Sequence, residues 1–593
     1  MPLLNLRHYF SLFILSFFLL AACSDQQGPS GNTPVVSKSQ ERPLPAFNEV
    51  TIETGLADFI HDNGSRGQVY FPELMGSGGG FVDYNGDDWL DILLVGGGPI
   101  ESETADPVKA LRLYKNNQDG TFSEATEEAG LAGIEAYGQG ITAADYDNDG
   151  DEDFYFTTLY QNYLFRNDGG RFSSVGAEAS VSGRPEWSSS ATFFDADRDG
   201  DLDLYVVNYV DWSPGTDIFC SIQGIIILDT RGASNLEKQY GQKVYCPPSE
   251  FKGVPNRFYR NNGNGSFTDE TEKAGFLTTP QKSLGVAEFD FNRDGWPDIV
   301  VTNDAEPDLL YKNNGDGTFI EIGQRSGIAL GETGNARAGM GIDMGVVDNS
   351  GQESIFVGNF SSEMIGVYKY TGNDLFDDRA AASKIGQPSF LTLTFGLFLF
   401  DVEYDGDLDL LAANGHVWAI RPTLDGSTYR QQAQLFVNQS DGVFTEATSI
   451  PGGAFDQQMV ARGASYGDFD RDGDVDILIT ENGGPAHLWR NELTNANYLR
   501  VRLQGTDSNK EGLGAQITAV VGKNRMYRRT RTGSSYLSQS EKTVSFGLGE
   551  STRVDSLLVQ WPSGQIDILV DIEGNQELQV IEGAGQQATD DQQ

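Results

Sequence analysis

The sequence predicts an all-β fold assembled from a repeated four-strand unit, and three observations carry that prediction. An acidic loop built around one glycine recurs along the chain, and a turn-rich signature follows most copies. The 71 glycines among 593 residues, with abundant aromatics and only 7 methionines, suit short strands joined by tight turns. The loop is clearest in "DYDNDGDED", Asp145 to Asp153, which sets carboxylates at positions 1, 3, 5 and 9 around Gly150. Unit charges about 4 Å apart repel by about 4 kcal/mol per pair at an effective dielectric near 20, so such a loop folds readily only around a cation. Oxygen-only ligands and a flexible ligand count point to Ca²⁺.

The aligned first positions are Asp83, Asp145, Asp195, Asp290, Val346, Asp401 and Asp468, which makes seven units. They lie about 50 to 67 residues apart, except for about 95 between the third and fourth, where an insertion carries Cys220 and Cys246. Downstream come "LYKNNQDGTFSEATEEAGL" from Leu113, "LFRNDGGRFSSVGAEASV" from Leu164, "FYRNNGNGSFTDETEKAGF" from Phe258, "LYKNNGDGTFIEIGQRSGI" from Leu310 and "LFVNQSDGVFTEATSI" from Leu435. Their Asn, Asp and Gly clusters are hairpin turns, the glycines supplying positive φ. One unit therefore reads strand, acidic loop, strand, link, strand, turn, strand, which is a propeller blade. The seventh unit has "LWRN" at Leu488 but lacks its last strand, and Phe47 to Leu56, "FNEVTIETGL", fits that missing piece. The N-terminal segment is thus expected to complete the last blade of a seven-bladed ring, leaving no free edge.

Asp145, Asp147, Asp149 and Asp153 form the fullest ligand set, matched by Asp195, Asp197, Asp199 and Asp203 and by Asp468, Asp470, Asp472 and Asp476. Asp290, Asn292, Asp294 and Asp298 carry one charge less, and Asp401, Glu403, Asp405 and Asp409 have a longer side chain at position 3; both sets are expected to bind. So are Asp83, Asn85, Asp87 and Asp91, although Asp88 stands where the turn glycine belongs and Gly86 comes two residues early. The fifth loop, "VVDNSGQES" from Val346, keeps only Asp348, Ser350 and Gly351 of the pattern and is expected to bind nothing. About six structural Ca²⁺ ions result. An EF-hand needs a bidentate Glu at position 12, where this chain has Leu94, Phe156, Val206, Val301, Ala412 and Ile479.

Lys plus Arg total 41 against 86 Asp plus Glu, a net charge of −45 that speaks against nucleic-acid and anionic-membrane partners. Arg7, the apolar run Tyr9 to Leu20 and Leu20-Ala21-Ala22-Cys23 read as a signal peptide over residues 1–22, too short to span a membrane. The "LAAC" ending resembles a bacterial lipobox, which implies lipidation of Cys23 and a place at the outer membrane or cell surface, with the lipid as the membrane contact. Residues 23–46, rich in Ser, Gln, Pro and Gly, read as a flexible tether. Cys220 and Cys246 remain as an even pair in an exported chain, which favours a disulfide. A monomer is expected.

On these loops and turns, with "NYVDW" at Asn208, "YCPPSEF" at Tyr245 and "ANGHV" at Asn414, the chain resembles the FG-GAP/VCBS-repeat propellers related to the integrin α-chain head. "GLGAQITAV" at Gly512, "RRTRTGSSYLSQ" at Arg528, "FGLGESTRVDSLLVQWPSG" at Phe546 and "NQELQVIE" at Asn575 extend the resemblance to the cartilage acidic protein family with its C-terminal ASPIC/UnbV domain. That implies a propeller over 47–496 and the second domain over 497–583, followed by a disordered tail, 584–593. Read from its residues alone, the region is a small β-domain, with strand-like runs "YLRVRLQG", "AQITAVVG", "VSFGLG", "SLLVQW" and "QELQVIE". Its basic segment, with Arg525, Arg528, Arg529 and Arg531, suits an acidic glycan, docking on the acidic propeller, or local pairing on a solvated face.

No catalytic residue is expected. Gly463-Ala464-Ser465-Tyr466-Gly467 fits G-x-S-x-G but precedes an acidic loop instead of a helix, and His8, His61, His416 and His487 have no metal-ligand spacing. Two function classes follow: a calcium-stabilised binding or adhesion module for a protein or glycan, or a cell-envelope enzyme (hydrolase or lyase) or assembly factor working in the propeller channel.

Overall fold

The computed structural model describes residues 44–101, 109–221, 224–229, 242–417, 419, 426–493 and 495–587; the signal segment, Cys23 and most of the tether lie outside them. Each repeat folds as an antiparallel sheet. The first strands are Gly79–Val82, Gly138–Ala144, Ser188–Phe194, Ser283–Phe289, Ile342–Gly345, Thr394–Phe400 and Ala461–Gly467. Six of the seven sheets have four strands, and the first has a fifth because Ser538–Gln539 joins it. The first strands adjoin in chain order, and the seventh returns to the first.

Ring closure follows the pattern of the missing strand. Phe47–Glu49 pairs antiparallel with Ala486–Asn491, Phe47 opposite Asn491. The strand is short, and side chains reinforce it. Burial opposes a charge on His487, but hydrogen bonds to Glu481 and Glu49, 3.3 Å each, raise its pKa to about 9. Glu49 also accepts the Trp489 indole N–H at 2.8 Å.

The second strands are buried on both faces because each sheet is sandwiched between two others; Asp153–Thr158, "DFYFTT", is buried throughout. Between the first two sheets Phe154, Phe165 and Phe172 pack with Val82, Leu93 and Leu113. The insertion folds as a small sheet of Ile218–Ser221, Gly224–Asp229 and Lys243–Val244. Cys220 and Cys246 are disulfide-bonded there, Cα atoms 5.4 Å apart.

The C-terminal domain comprises two sheets over a core that includes Val501, Ile517, Phe546, Leu557 and Trp561. It runs past the expected boundary at 583: Gln586 and Gln587 pair with Ile568 and Asp567, and the Gly583 N–H donates to Asp567 Oδ2 at 2.7 Å. Half of the basic segment, Asn524–Arg529, is a strand against Gln516–Val521, and Ile566–Glu573 is a further strand that no sequence run had marked.

Candidate metal centres and the C-terminal plug

Every complete loop is closed by its own first carboxylate. Asp145 Oδ1 accepts the Asp149 N–H at 3.0 Å and Oδ2 the Gly150 N–H at 2.8 Å. Asp83, Asp195, Asp290, Asp401 and Asp468 do the same with their own positions 5 and 6. The ninth residue is the first of a strand, as in Asp91–Val95 and Asp476–Glu481, which rules out an EF-hand helix. It ties the loop to the downstream hairpin: Asp153 Oδ2 accepts the Tyr146 N–H at 3.2 Å and Oδ1 the Asn167 N–H at 2.7 Å. The Asn167 side-chain amide donates to Tyr84 O in the preceding loop, 2.8 Å. Asn116, Asn261, Asn313 and Asn438 repeat that inter-blade bond, which explains the asparagine of the "LY.N" signature.

The loop needs two left-handed residues. Position 6 is glycine in five of the six complete loops, while position 4 in those five is Asn148, Arg198, Arg293, Tyr404 or Arg471, at φ of 57 to 61°. Left-handed backbone costs a non-glycine residue roughly 1–3 kcal/mol, so the surrounding contacts must hold it. The first loop exchanges the two requirements: Gly86 takes position 4 at φ 68° and Asp88 position 6 at φ 66°. The early glycine is therefore no defect of the turn.

The donor set suits a hard cation. Asp147 Oδ1, Asp197 Oδ1, Glu403 Oε2 and Asp470 Oδ1, all at position 3, are buried oxygens without a hydrogen-bond partner. Carboxylate oxygens of Asp145, Asp147 and Asp153 lie within 4.8 Å of one another, as do those of Asp195, Asp197 and Asp199 and those of Asp468, Asp470 and Asp476. Burial first, and neighbouring carboxylates second, push Asp145 up to about 7 and Asp153 to about 9; Asp468 rises to about 7 and Asp470 to about 6. Groups so hard to ionise alone are stabilised as anions by a divalent ion. The first and fourth loops differ, for Asn85 Oδ1 and Asn292 Oδ1 already accept the N–H of Asp87 and Asp294 at 3.0 and 3.1 Å. In the fifth loop Asp348 pairs with Lys369, which holds it below the usual carboxylate range against the effect of burial.

The C-terminal domain sits on these loops and sends residues 530–541 into the ring. Ser538–Gln539 pairs parallel with Gly79 and Gly80, and the Ser535 N–H donates to Ile342 O. Thr532 bonds Thr192 and Phe193, and the buried Tyr536 hydroxyl donates to Met75 O at 3.2 Å. Glycines on the first strands make this possible: a Cβ on Gly78 would stand 1.8 Å from Leu537 O, and one on Gly80 2.1 Å from Gln539 O. Of the basic segment, Arg529 pairs with Glu288 and Arg531 with Asp343, Arg528 lies over the Phe546 ring, and Arg525 is exposed. The domain also completes two loops, Glu511 accepting the Asp145 N–H at 2.9 Å and Glu541 the Asp468 N–H at 3.1 Å. Lys542 joins Glu511 to Glu152, and Arg500 joins Glu541 to Asp468.

Ser465 is buried within the strand Ala461–Gly467, with no helix following, so the G-x-S-x-G run does not form a nucleophile elbow. His416 Nε2 lies 3.3 Å from Ser361 Oγ inside a blade end. At the blade ends away from the acidic loops, Phe71, Trp187, Tyr209 and Trp212 form an aromatic cluster that includes the disulfide, with Tyr70, Tyr160 and Tyr245 half-buried at its edge.

The family pattern "FG-GAP-like repeat" matches residues 83–156, 145–206, 249–301, 290–357 and 419–479, and "ASPIC and UnbV" matches residues 505–587. Cartilage acidic protein 1 of Xenopus tropicalis is 26% identical over 277 residues, 45% of this chain and 40% of that protein. The human protein is 24% identical over 274 residues, 45% and 39%. The match thus spans about two fifths of the length of these curated relatives. Among solved structures, an Agrocybe aegerita lectin described as recognising non-reducing terminal N-acetylglucosamine overlaps 63% of this chain and 79% of its own, at 16% identity and a TM-score of 0.35.

Proposed function

We propose, from the premise that this chain belongs to the FG-GAP-repeat propeller proteins with a C-terminal ASPIC and UnbV domain, that it is an extracytoplasmic binding or adhesion protein stiffened by calcium. The observation that carries this reading is the filled channel. Residues 532–539 occupy the space in which a propeller enzyme would place its site, and the C-terminal domain bonds the second and seventh acidic loops. On the opposite face Tyr70, Tyr160 and Tyr245 rim the aromatic cluster, and Lys243 lies 5.2 Å from the Tyr70 ring centroid. Half-buried tyrosines offer flat apolar area and a polar tip to a protein or a glycan at little entropic cost.

Calcium serves as the staple. The carboxylates of the six complete loops would hold it through side-chain oxygens, and its charge would relieve the repulsion that burial otherwise enforces. Cys23, outside the described residues, would carry the lipid that keeps the protein at a bacterial surface. The test is capture of protein and glycan ligands by the chain from residue 24 onward at millimolar calcium, beside a Tyr70→Ala and Tyr245→Ala variant. Binding that this variant loses supports the reading; no binding, or binding unchanged by the substitutions, refutes it.

A further inference from the structure

Resting on the calcium reading, one loop stands apart from its equals. Arg166, Arg260 and Arg490 occupy equivalent positions, each just before the asparagine whose N–H binds the ninth-position carboxylate. In the second and seventh blades the residue two places on is acidic and holds the guanidinium outward: Arg166 Nη2 is 3.0 Å from Asp168 Oδ2, and Arg490 Nη2 is 2.7 Å from Glu492 Oε1. The third blade has Asn262 there. Arg260 turns into the loop instead, its Nη1 2.7 Å from Asp203 Oδ2 and 2.9 Å from Asp197 Oδ2.

The ligand set registers the intrusion. In the second and seventh loops the carboxylates that converge are those of positions 1, 3 and 9, but in the third they are those of positions 1, 3 and 5. Asp203, the missing ninth residue, has both oxygens engaged: Oδ1 with the Asn261 N–H at 2.7 Å, Oδ2 with the Ala196 N–H at 3.1 Å and with Arg260. The guanidinium is itself anchored by Gly317 O at 2.9 Å and lies over the Phe258 ring. Asp197 Oδ1 nevertheless keeps a free buried acceptor, so the loop retains a reason to take a metal.

We propose that Arg260 is a built-in counter-cation of the third loop, so that Ca²⁺ enters it only by displacing the guanidinium from Asp197 and Asp203. By sequence this loop equals the second and the seventh; Arg500 Nε lies 3.4 Å from Asp468 Oδ2 in the seventh, but of the three only the third has a guanidinium on positions 3 and 9 together. Losing one charge-assisted hydrogen bond on binding lowers affinity on the order of tenfold.

The experiment is calorimetric titration of calcium into the metal-stripped chain, with Arg260→Gln and Asn262→Asp as variants. Asn262→Asp restores the acidic holder of the other blades and keeps Arg260, so it covers the case in which Arg260→Gln fails to fold. The expected result is one binding event about tenfold weaker than those of the second and seventh loops in the parent chain, tightened by about that factor in each variant, and absent when Asp199→Asn is added. A weak event that neither variant tightens, or none that Asp199→Asn removes, overturns the role of Arg260 and leaves the calcium reading standing. A parent chain that takes up no calcium overturns both.

Discussion

The second and fifth loops share a strand–turn–strand hairpin and differ in how its charge is met. None of Asp145, Asp147, Asp149 and Asp153 forms an ion pair with a lysine or arginine among the described residues, although Lys542 pairs with Glu152 of the same loop, and the carboxylates of Asp145, Asp147 and Asp153 converge. In the fifth loop the ninth position is Ser354, and Lys369, directly opposite it in the ladder, pairs with Asp348. An ammonium there does for one carboxylate what a divalent ion would do for the three that converge. The blade thus depends on neutralisation and not on any one cation, and the third loop, with both an arginine and a full acid set, stands between them.

The largest test of that contrast is removal of the metal. Each site held at a hundredfold its Kd contributes about 2.7 kcal/mol, so a chelator acting on six loops should lower Tm on the order of 10 °C or more, read by scanning calorimetry. An unchanged Tm would erase the distinction between the loops.

A smaller effect separates them by the sign of their pH response. Without calcium, burial and then neighbouring acids hold Asp145 up to about 7 and Asp153 to about 9, so the folded state binds the extra protons. Their cost is absent below the ordinary carboxylate value of about 3.9 and grows as pH rises toward 9. Asp348, held low by Lys369, contributes stability above its unfolded value and loses it as pH falls. The metal-free chain should therefore show a higher urea midpoint at pH 5 than at pH 8, since the many raised acids outnumber Asp348, while saturating calcium, which requires the ionised carboxylates, reverses that slope. A metal-free midpoint that drops toward pH 5 would contradict the assignment.

The smallest effect concerns Lys369 itself. Its side chain is 36% exposed but that of Asp348 only 6%, so Lys369→Met should cost on the order of 1–2 kcal/mol and leave the calcium stoichiometry unaltered. A new calcium dependence in that variant would show that the lysine had been masking a site.

Much of this was legible because the decisive partners are close in sequence. A ligand set nine residues long, a turn glycine and an apolar position 12 can be read in one window, and the "TF.E.T" pattern identified Phe47–Glu49 as the missing strand across the whole ring. The role of Gly86 was harder to read, because nothing local says that position 4 also needs a left-handed residue; Arg198, Arg293 and Tyr404 hide it. By sequence Arg260 is equivalent to Arg166 and Arg490, and its contacts with Asp197 and Asp203 set it apart. One sequence signal did exist for the plug, the glycines that open the first strands in "GSGGGF", "GQG" and "GMG", where a strand has no need of them unless another backbone comes close.

The sequence by itself determined the repeat, the acidic loops and the strand that closes the ring, all of them set by local spacing or by copies of a motif, and its even cysteine count favoured the disulfide. Only the tertiary structure decided where the basic segment goes. Arg529 and Arg531 find Glu288 and Asp343, about 190 to 240 residues away, and the groove that receives Thr532 to Gln539 comes into being when seven first strands converge. Such a fit is a property of assembled surfaces, in which buried charges must meet partners and backbones must find room, and no window of sequence contains both halves of it.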